Sequence, residues 1–203
     1  IESAKMTWKE FSGIKPNPEI EEAREAVLIG RKFSPDVILA VGGGSVIDTA
    51  KAVAAAIPVE NDPWDLYTGK LKPKKAVPII TVLTLAATGT EMNPFSVIQN
   101  KAEGIKTSFM SRHVTPKYSF LDPSFTISVP RNYTAYGIYH LVAHAMESWY
   151  GEGEASLADR FVVAIFKSAI AYGPRLLKEV DNYALHARIM YAQPCALHDL
   201  TMF

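Results

Sequence analysis

Between Asp36 and Val53 the chain changes periodicity twice, and this stretch constrains the fold more than any other. Asp36 opens an unbroken apolar run, Val37-Ile38-Leu39-Ala40-Val41, which predicts a strand buried on both faces, as in a parallel sheet. Gly42-Gly43-Gly44 follows. Having no Cβ, these residues let the backbone turn sharply and let a ligand approach it closely. From Ser45 the spacing becomes helical, with Val46, Ala50 and Val53 along one side. Strand, glycine turn and helix start together make an anion site, because unpaired N–H groups and the positive end of the helix dipole point into the turn. The same residues spell a capping box, Ser45-x-x-Asp48, and capping and phosphate binding do not exclude one another. The pattern is neither Gly-x-Gly-x-x-Gly nor a P-loop, since no Lys-Ser/Thr pair follows the glycines. A phosphate or dinucleotide site is the reading this stretch favours.

The rest of the chain places this unit in a larger array. Residues 8–11 read as a short strand and 12–16 as a loop. Asn17-Pro18 then has the form of a helix start, with Asn at the N-cap, Pro at the first helical position and Glu19, Glu21 and Glu22 in the first turn. Ile20, Ala23, Val27 and Gly30 form the inner stripe of that helix, and Phe33-Ser34-Pro35 stops it. After the helix over 45–56 comes a polar turn at 58–63 and a second buried strand over 77–84. Alternation of this kind implies right-handed β-α-β units on a parallel sheet. Residues 84–93 put small and hydroxyl side chains at the C-terminal end of that strand, where open α/β sheets hold ligands. Residues 96–99 and 107–110 flank a polar turn as a hairpin, and 118–121 is a further strand ended by Asp122-Pro123. From Tyr133 onward the spacing is helical, over 133–150, 156–172 and 182–197, with Gly151-Glu152-Gly153 and Gly173-Pro174 as punctuation. The expectation is an α/β domain over 1–130 followed by the start of an all-helical domain over 131–203.

Composition narrows the partners. The 203 residues are 48% hydrophobic and 21% charged, enough apolar mass for a core and too ordered a mixture for a disordered chain. Lys+Arg and Asp+Glu balance at 21 each, which argues against nucleic acid or an anionic membrane as the main partner. Cys195 is the single cysteine, so an internal disulfide is excluded and a reducing, cytoplasmic setting is expected. The longest apolar run is short and broken by Pro78, Thr81 and Thr84, and no signal peptide or membrane span is read. The chain opens on Ile1 and closes on Thr201-Met202-Phe203, and both ends look cut.

A second site lies in the helical half. His140 and His144 are four residues apart and Glu147 follows three further on, so all three fall on one side of a helix within reach of one ion. Imidazole with carboxylate suits Fe, Zn, Ni or Co rather than Mg or Ca alone. The competing reading is one packed and one solvated histidine. His198-Asp199 is the other candidate pair nearby, while His113 and His186 read as surface or turn histidines.

Laid out in order, the chain resembles the iron-containing (group III) alcohol dehydrogenases, in particular their NADP-dependent butanol dehydrogenase and aldehyde reductase branch. The stretches that carry the resemblance are Gly13-Ile14-Lys15-Pro16-Asn17-Pro18, residues 42–48, Asp62-Pro63-Trp64, residues 83–93, Leu121-Asp122-Pro123 and His144-Ala145-Met146-Glu147. The resemblance implies a Rossmann-like dinucleotide domain, a helical metal domain and a cleft between them. It implies Asn17, Gly43, Gly44 and Ser45 on the ribose and phosphates of NADP or NAD. Thr84, Thr88, Asn93 and Lys106 would lie along the nucleotide and nicotinamide, with Val129 packed against the cofactor. A divalent metal, Fe or alternatively Zn, Ni or Co, is held in the family by an Asp, a His four residues later and two further histidines. His144 matches the first family His, and His140 stands where the family has Asp. The implied reaction is hydride transfer between a short aliphatic alcohol or its aldehyde and nicotinamide, in a homodimer, and no Ser or Lys base is evident. Two other readings of the scaffold stay open: a dehydroquinate synthase-like or glycerol dehydrogenase-like enzyme, and a truncated nucleotide-binding subunit without catalysis.

Overall fold

A computed structural model of the chain describes residues 6–153, 155–197 and 201. Its first half is built on a parallel sheet of three strands, β1 (Ile38–Gly42), β2 (Ile79–Leu83) and β5 (Tyr118–Phe120), in the order β1-β2-β5. Ala40 faces Thr81, and Thr81 faces Ser119, so the side chains of these residues lie on one face. That face is covered by α2 (Gly44–Ala56), which is buried over almost its whole circumference because α1 (Ile20–Phe33) and the hairpin β3 (Phe95–Asn100)/β4 (Ile105–Met110) pack on its other sides.

Several expectations are corrected here. Residues 8–11 form no strand, because no neighbouring strand pairs with them; Trp8 is exposed and Phe11 packs loosely on the core. Helix α1 begins at Ile20 and not after Asn17. Glu19 is its N-cap and forms a capping box with Glu22, while Asn17 takes a left-handed backbone (φ 57). The reason is tertiary: Pro18 O accepts the Gln99 amide at 3.0 Å and Glu19 bridges to Gln99, so these residues leave the helix to run beside β3. β1 is buried on one face only, with Leu39 45% and Val41 55% exposed. The polar turn at 58–63 leads into an unforeseen short helix, α3 (Trp64–Tyr67), started by Asp62 Oδ1 accepting the Trp64 amide at 2.8 Å. Tyr67 stacks on Trp64 and meets Phe109 edge-on, tying α3 to the hairpin.

The second half comprises α4 (Arg131–Trp149), α5 (Ser156–Leu176) and α6 (Tyr183–Ala196), mutually packed around Leu141, Ala145, Val162, Ile165 and Ile189. Gly173-Pro174 does not end α5. A Cβ at Gly173 would lie 2.8 Å from Ile138 Cγ2, so that glycine serves close packing against α4, and the helix runs on through Pro174 to Leu176 although the proline supplies no N–H to the carbonyl four residues before it. The two halves touch: Met190 of α6 packs in a buried cluster with Ala40, Ile47, Ala50 and Leu83. Among the described residues no helix is long and apolar enough to cross a membrane.

Candidate functional site

The glycine turn joins β1 to α2 without a side-chain cap. Gly43, in extended conformation, is the N-cap, and no side chain bonds the first-turn amides. The predicted capping box is absent. Ser45 lies inside the first turn, where its carbonyl accepts the Thr49 hydroxyl at 2.9 Å, and Asp48 is drawn off to the hairpin. An α-helix start with no side-chain partner for its amides suits an anion.

Residues 84–88 lie directly over this turn. The Thr84 amide donates to Gly42 O at 3.1 Å. A Cβ at Gly44 would lie 2.6 Å from Thr88 Oγ1, and one at Gly43 would lie 3.3 Å from Leu85 Cβ. A side chain at 44 would have to displace the Thr88 hydroxyl. The loop continues through Gly89, whose left-handed backbone (φ 67) presses against Gln193 and Pro194 of α6, to a 3-10 turn over Thr90–Met92.

Asn17 and Lys106, far apart in sequence, meet: Lys106 Nζ donates to Asn17 Oδ1 at 2.7 Å. Asn93 is placed differently from the others. It is buried, its amide donating to Gly89 O at 3.2 Å and its Oδ1 accepting from Phe95 N at 3.0 Å, so it fastens the loop from beneath. Val129 lines a small cavity between the halves together with Leu85, Thr126, Tyr133 and Ile189.

On α4, the rings of His140 and His144 lie 4.2 Å apart, centre to centre. His144 is buried and its Nδ1 has no hydrogen-bond partner among the described residues. Desolvation, with His140 beside it, pushes its pKa down to about 4, and desolvation lowers His140 as well. Both rings are thus held neutral near pH 7, the form that ligates a metal. Glu147 is exposed, and among the described residues no three His, Cys, Asp or Glu side chains converge on one ion position. His198 and Asp199 lie outside the described residues. His186 is no surface histidine: it is buried on α6, with Nδ1 2.9 Å from Thr126 Oγ1 and Nε2 donating to Val180 O at 2.8 Å.

Sequence reasoning overlooked a buried polar cluster under the loop. Lys51 is fully buried on α2 and donates to the loop, while the Asp48 carboxylate accepts from Thr90 Oγ1 at 2.5 Å and Val97 N at 3.1 Å. Desolvation pushes Asp48 up to about 6 and Lys51 down to about 8. Glu91 is buried beside them with Oε1 unpartnered among the described residues, and desolvation raises its pKa. The signal was available as Asp48-x-x-Lys51, two charges inside an otherwise apolar helix.

The family model described as iron-containing alcohol dehydrogenase matches residues 1–123. An NADPH-dependent aldehyde reductase of Escherichia coli is 42% identical over 199 residues, covering 96% of this chain and 51% of the relative. A probable NADH-dependent butanol dehydrogenase of Bacillus subtilis is 41% identical over 190 residues, covering 93% and 49%. Among solved structures, the NADH-dependent butanol dehydrogenase A of Thermotoga maritima superposes with a TM-score of 0.95 at 35% identity, over 98% of this chain and 50% of that one. The chain spans about half the length of the curated relatives it matches.

Proposed function

The chain belongs to the iron-containing alcohol dehydrogenase family, and from that premise we propose that it is the cofactor-binding half, with the start of the metal-binding half, of an NAD(P)-linked alcohol dehydrogenase or aldehyde reductase. Its two units would be 1–130 and 131–203, in a cytoplasmic homodimer acting on short aliphatic alcohols and aldehydes. The observation that carries the reading is the uncapped start of α2 beneath residues 84–88, with Thr88 Oγ1 2.6 Å from the position of a Cβ on Gly44.

Each residue then has a task. The amides of Gly44 and Ser45 and the dipole of α2 receive the pyrophosphate, and Asn17, held by Lys106, faces the ribose. Lys106 adds a positive charge along the nucleotide. Thr84 and Thr88 present hydroxyls toward the nicotinamide end, and Val129 gives its ring an apolar wall that keeps water from the hydride path. His140 and His144 fit a divalent ion: both imidazoles are held neutral, adjacent on one helix face, and the buried Nδ1 of His144 has no hydrogen-bond partner among the described residues. Such an ion, when bound, supplies Lewis-acid chemistry toward the alcohol or aldehyde oxygen, and nicotinamide supplies or takes the hydride.

Replacing Gly44 by Val tests the assignment. The side chain would occupy the space that Thr88 and a phosphate must share. Titration with NADPH and NADH should show affinity falling by about tenfold or more, as expected when a backbone–phosphate approach is blocked. Unchanged affinity would overturn the proposed site. The reading of a nucleotide-binding subunit without catalysis rests on the absence of a converging third ligand among the described residues. It predicts wild-type cofactor binding with no aldehyde reduction in the full-length protein under any metal loading.

A further inference from the structure

Lys51 has more oxygen neighbours than it has protons. Its Nζ lies 2.6 Å from Thr90 O, 2.7 Å from Thr90 Oγ1, 2.7 Å from Phe95 O, 2.8 Å from Asn93 O and 3.2 Å from Asn93 Oδ1. A lysine ammonium has three donors, so directed hydrogen bonds account for three of these contacts and the others are ion–dipole in character. All five oxygens are neutral carbonyl, hydroxyl or amide groups, and the site is closed to solvent, with Lys51 0% exposed. The nearest named carboxylate stands one bond removed: Asp48 accepts from the same Thr90 hydroxyl that accepts from Lys51.

A cage of neutral oxygens at these distances is what a large monovalent cation selects, as in carbonyl-lined potassium sites. The spacing sits at or beyond the long end of the roughly 2.3–2.6 Å typical of calcium–oxygen bonds, and calcium sites are built with carboxylates. The cage is also well placed to act. Its oxygens all belong to residues 90–95, which end the loop that carries Thr84 and Thr88, whereas the lysine stem belongs to α2, whose first turn forms the phosphate turn.

We propose that the Lys51 ammonium is a built-in monovalent cation that locks residues 84–95 onto α2, and so holds the nicotinamide side of the cofactor site in register with its phosphate side. Lys51 is a positioning residue and touches no cofactor atom. The inference rests on the cofactor reading above for its functional consequence, but the cage stands on geometry alone. It also implies a replaceable ion: an ammonium or potassium ion fits where the side-chain ammonium has been removed.

Two variants of the intact protein separate this from a generic buried-lysine effect. Lys51→Ala empties the cage and the space that the lysine stem fills, whereas Lys51→Met keeps a stem of similar length and fills the same space with a thioether methyl. NADPH and NADH affinities and thermal melting temperatures are measured in sodium, potassium and ammonium chloride at equal ionic strength. In sodium, both variants should bind cofactor about tenfold or more weakly, the scale of losing several charge-assisted contacts. Ammonium or potassium should restore Lys51→Ala to within a few-fold of wild type and leave Lys51→Met unrestored. Wild-type affinity in Lys51→Ala in sodium, or a loss that neither ion reverses, would overturn the proposal. Should the wild-type protein bind no nicotinamide cofactor, the function proposed above fails, and melting temperature decides the cage: an ammonium- or potassium-specific rise confined to Lys51→Ala supports it, and no such rise overturns it. Should Lys51→Ala not fold in any salt, Thr90→Val, which removes one cage oxygen while keeping Lys51, takes its place. Its cooperative melt should persist with cofactor affinity weakened several-fold, and unchanged affinity would overturn the proposal.

Discussion

His144 is the residue whose titration is most telling. Its imidazole is 9% exposed and held to a pKa of about 4, against 6.5 when free, by desolvation and the neighbouring His140. The folded state therefore binds fewer protons than the unfolded state between those two values. The stability this neutral ring allows is fully present above pH 6.5 and is lost as pH falls toward 4, by about 3 kcal/mol at most. Denaturant melts of chelated protein at pH 7, 5.5 and 4.5 should show this slope, and His144→Gln, which cannot titrate, should flatten it. The same neutrality leaves both rings available to a metal. Charge is what the pair itself lacks: His140 stands where the family resemblance sets an Asp, and two imidazoles leave a dication with the charge of exposed Glu147 alone to offset it in a partly desolvated site. Metal should be bound weakly by the native sequence and retained better by His140→Asp in the full-length protein. Elemental analysis after identical loading and dialysis checks this, and equal retention would show that the imidazole serves as well as the carboxylate.

At the scale of elements, the loop over residues 84–93 is clamped from both sides. Lys51 holds it from α2, and the helical half holds it through two close approaches. A Cβ on Gly137 of α4 would lie 2.5 Å from Ala86 O, and one on Gly89 of the loop would lie 2.9 Å from Pro194 Cα of α6. Gly137→Ala should force α4 away from the loop and destabilise the protein by roughly 1–3 kcal/mol, the usual range for overpacking. A lowered melting temperature with weaker cofactor binding is the expected result, and an unaltered melt would mean that the helix slides without cost. Much at this scale was legible in the sequence. The hairpin read over 96–110, the presence of the parallel strands (though not their ends) and the three long helices follow from periodicity, and Asn182 caps α6 as its residue type suggests, Oδ1 accepting from Leu185 N at 3.1 Å. The misreadings share a cause. Asn17, Ser45 and Asp48 each have the local chemistry of a helix cap, and in each case a distant partner (Lys106 for Asn17, β3 for Asp48) or a shifted helix start won over the local pattern. The Asp48-x-x-Lys51 charges flag a buried polar cluster but not its partners, since the acceptors of Lys51 lie about forty residues downstream and most are backbone carbonyls that carry no sequence signature.

At the scale of the whole molecule, the described residues cover the sheet on one side only. In register across the three strands run Leu39, Ile80 and Tyr118, then Val41, Val82 and Phe120. Tyr118 and Phe120 are 68% and 58% exposed, and with Leu39 and Val41 they make a continuous apolar surface on the side away from α2. The continuous apolar run at 37–41 predicts burial on both faces, but among the described residues a covering layer lies over only one of them, and Leu39 and Val41 stay exposed. Contiguous patches of this kind are rare on the exterior of stable monomers, where single apolar side chains are common and harmless. The physical consequence is measurable on the chain by itself. It should bind the dye ANS in its folded state, with cooperative melting retained, unlike a molten globule that binds the dye because its packing is lost. Replacing Val41 and Phe120 together by Thr puts a β-branched residue that suits a strand at both positions and removes much of the apolar area, so dye fluorescence should fall severalfold. The melting temperature should shift little, because exposed substitutions usually change stability by about 0.5 kcal/mol or less. Equal dye binding by both proteins would place the dye elsewhere, and would mean that the open face is covered in solution.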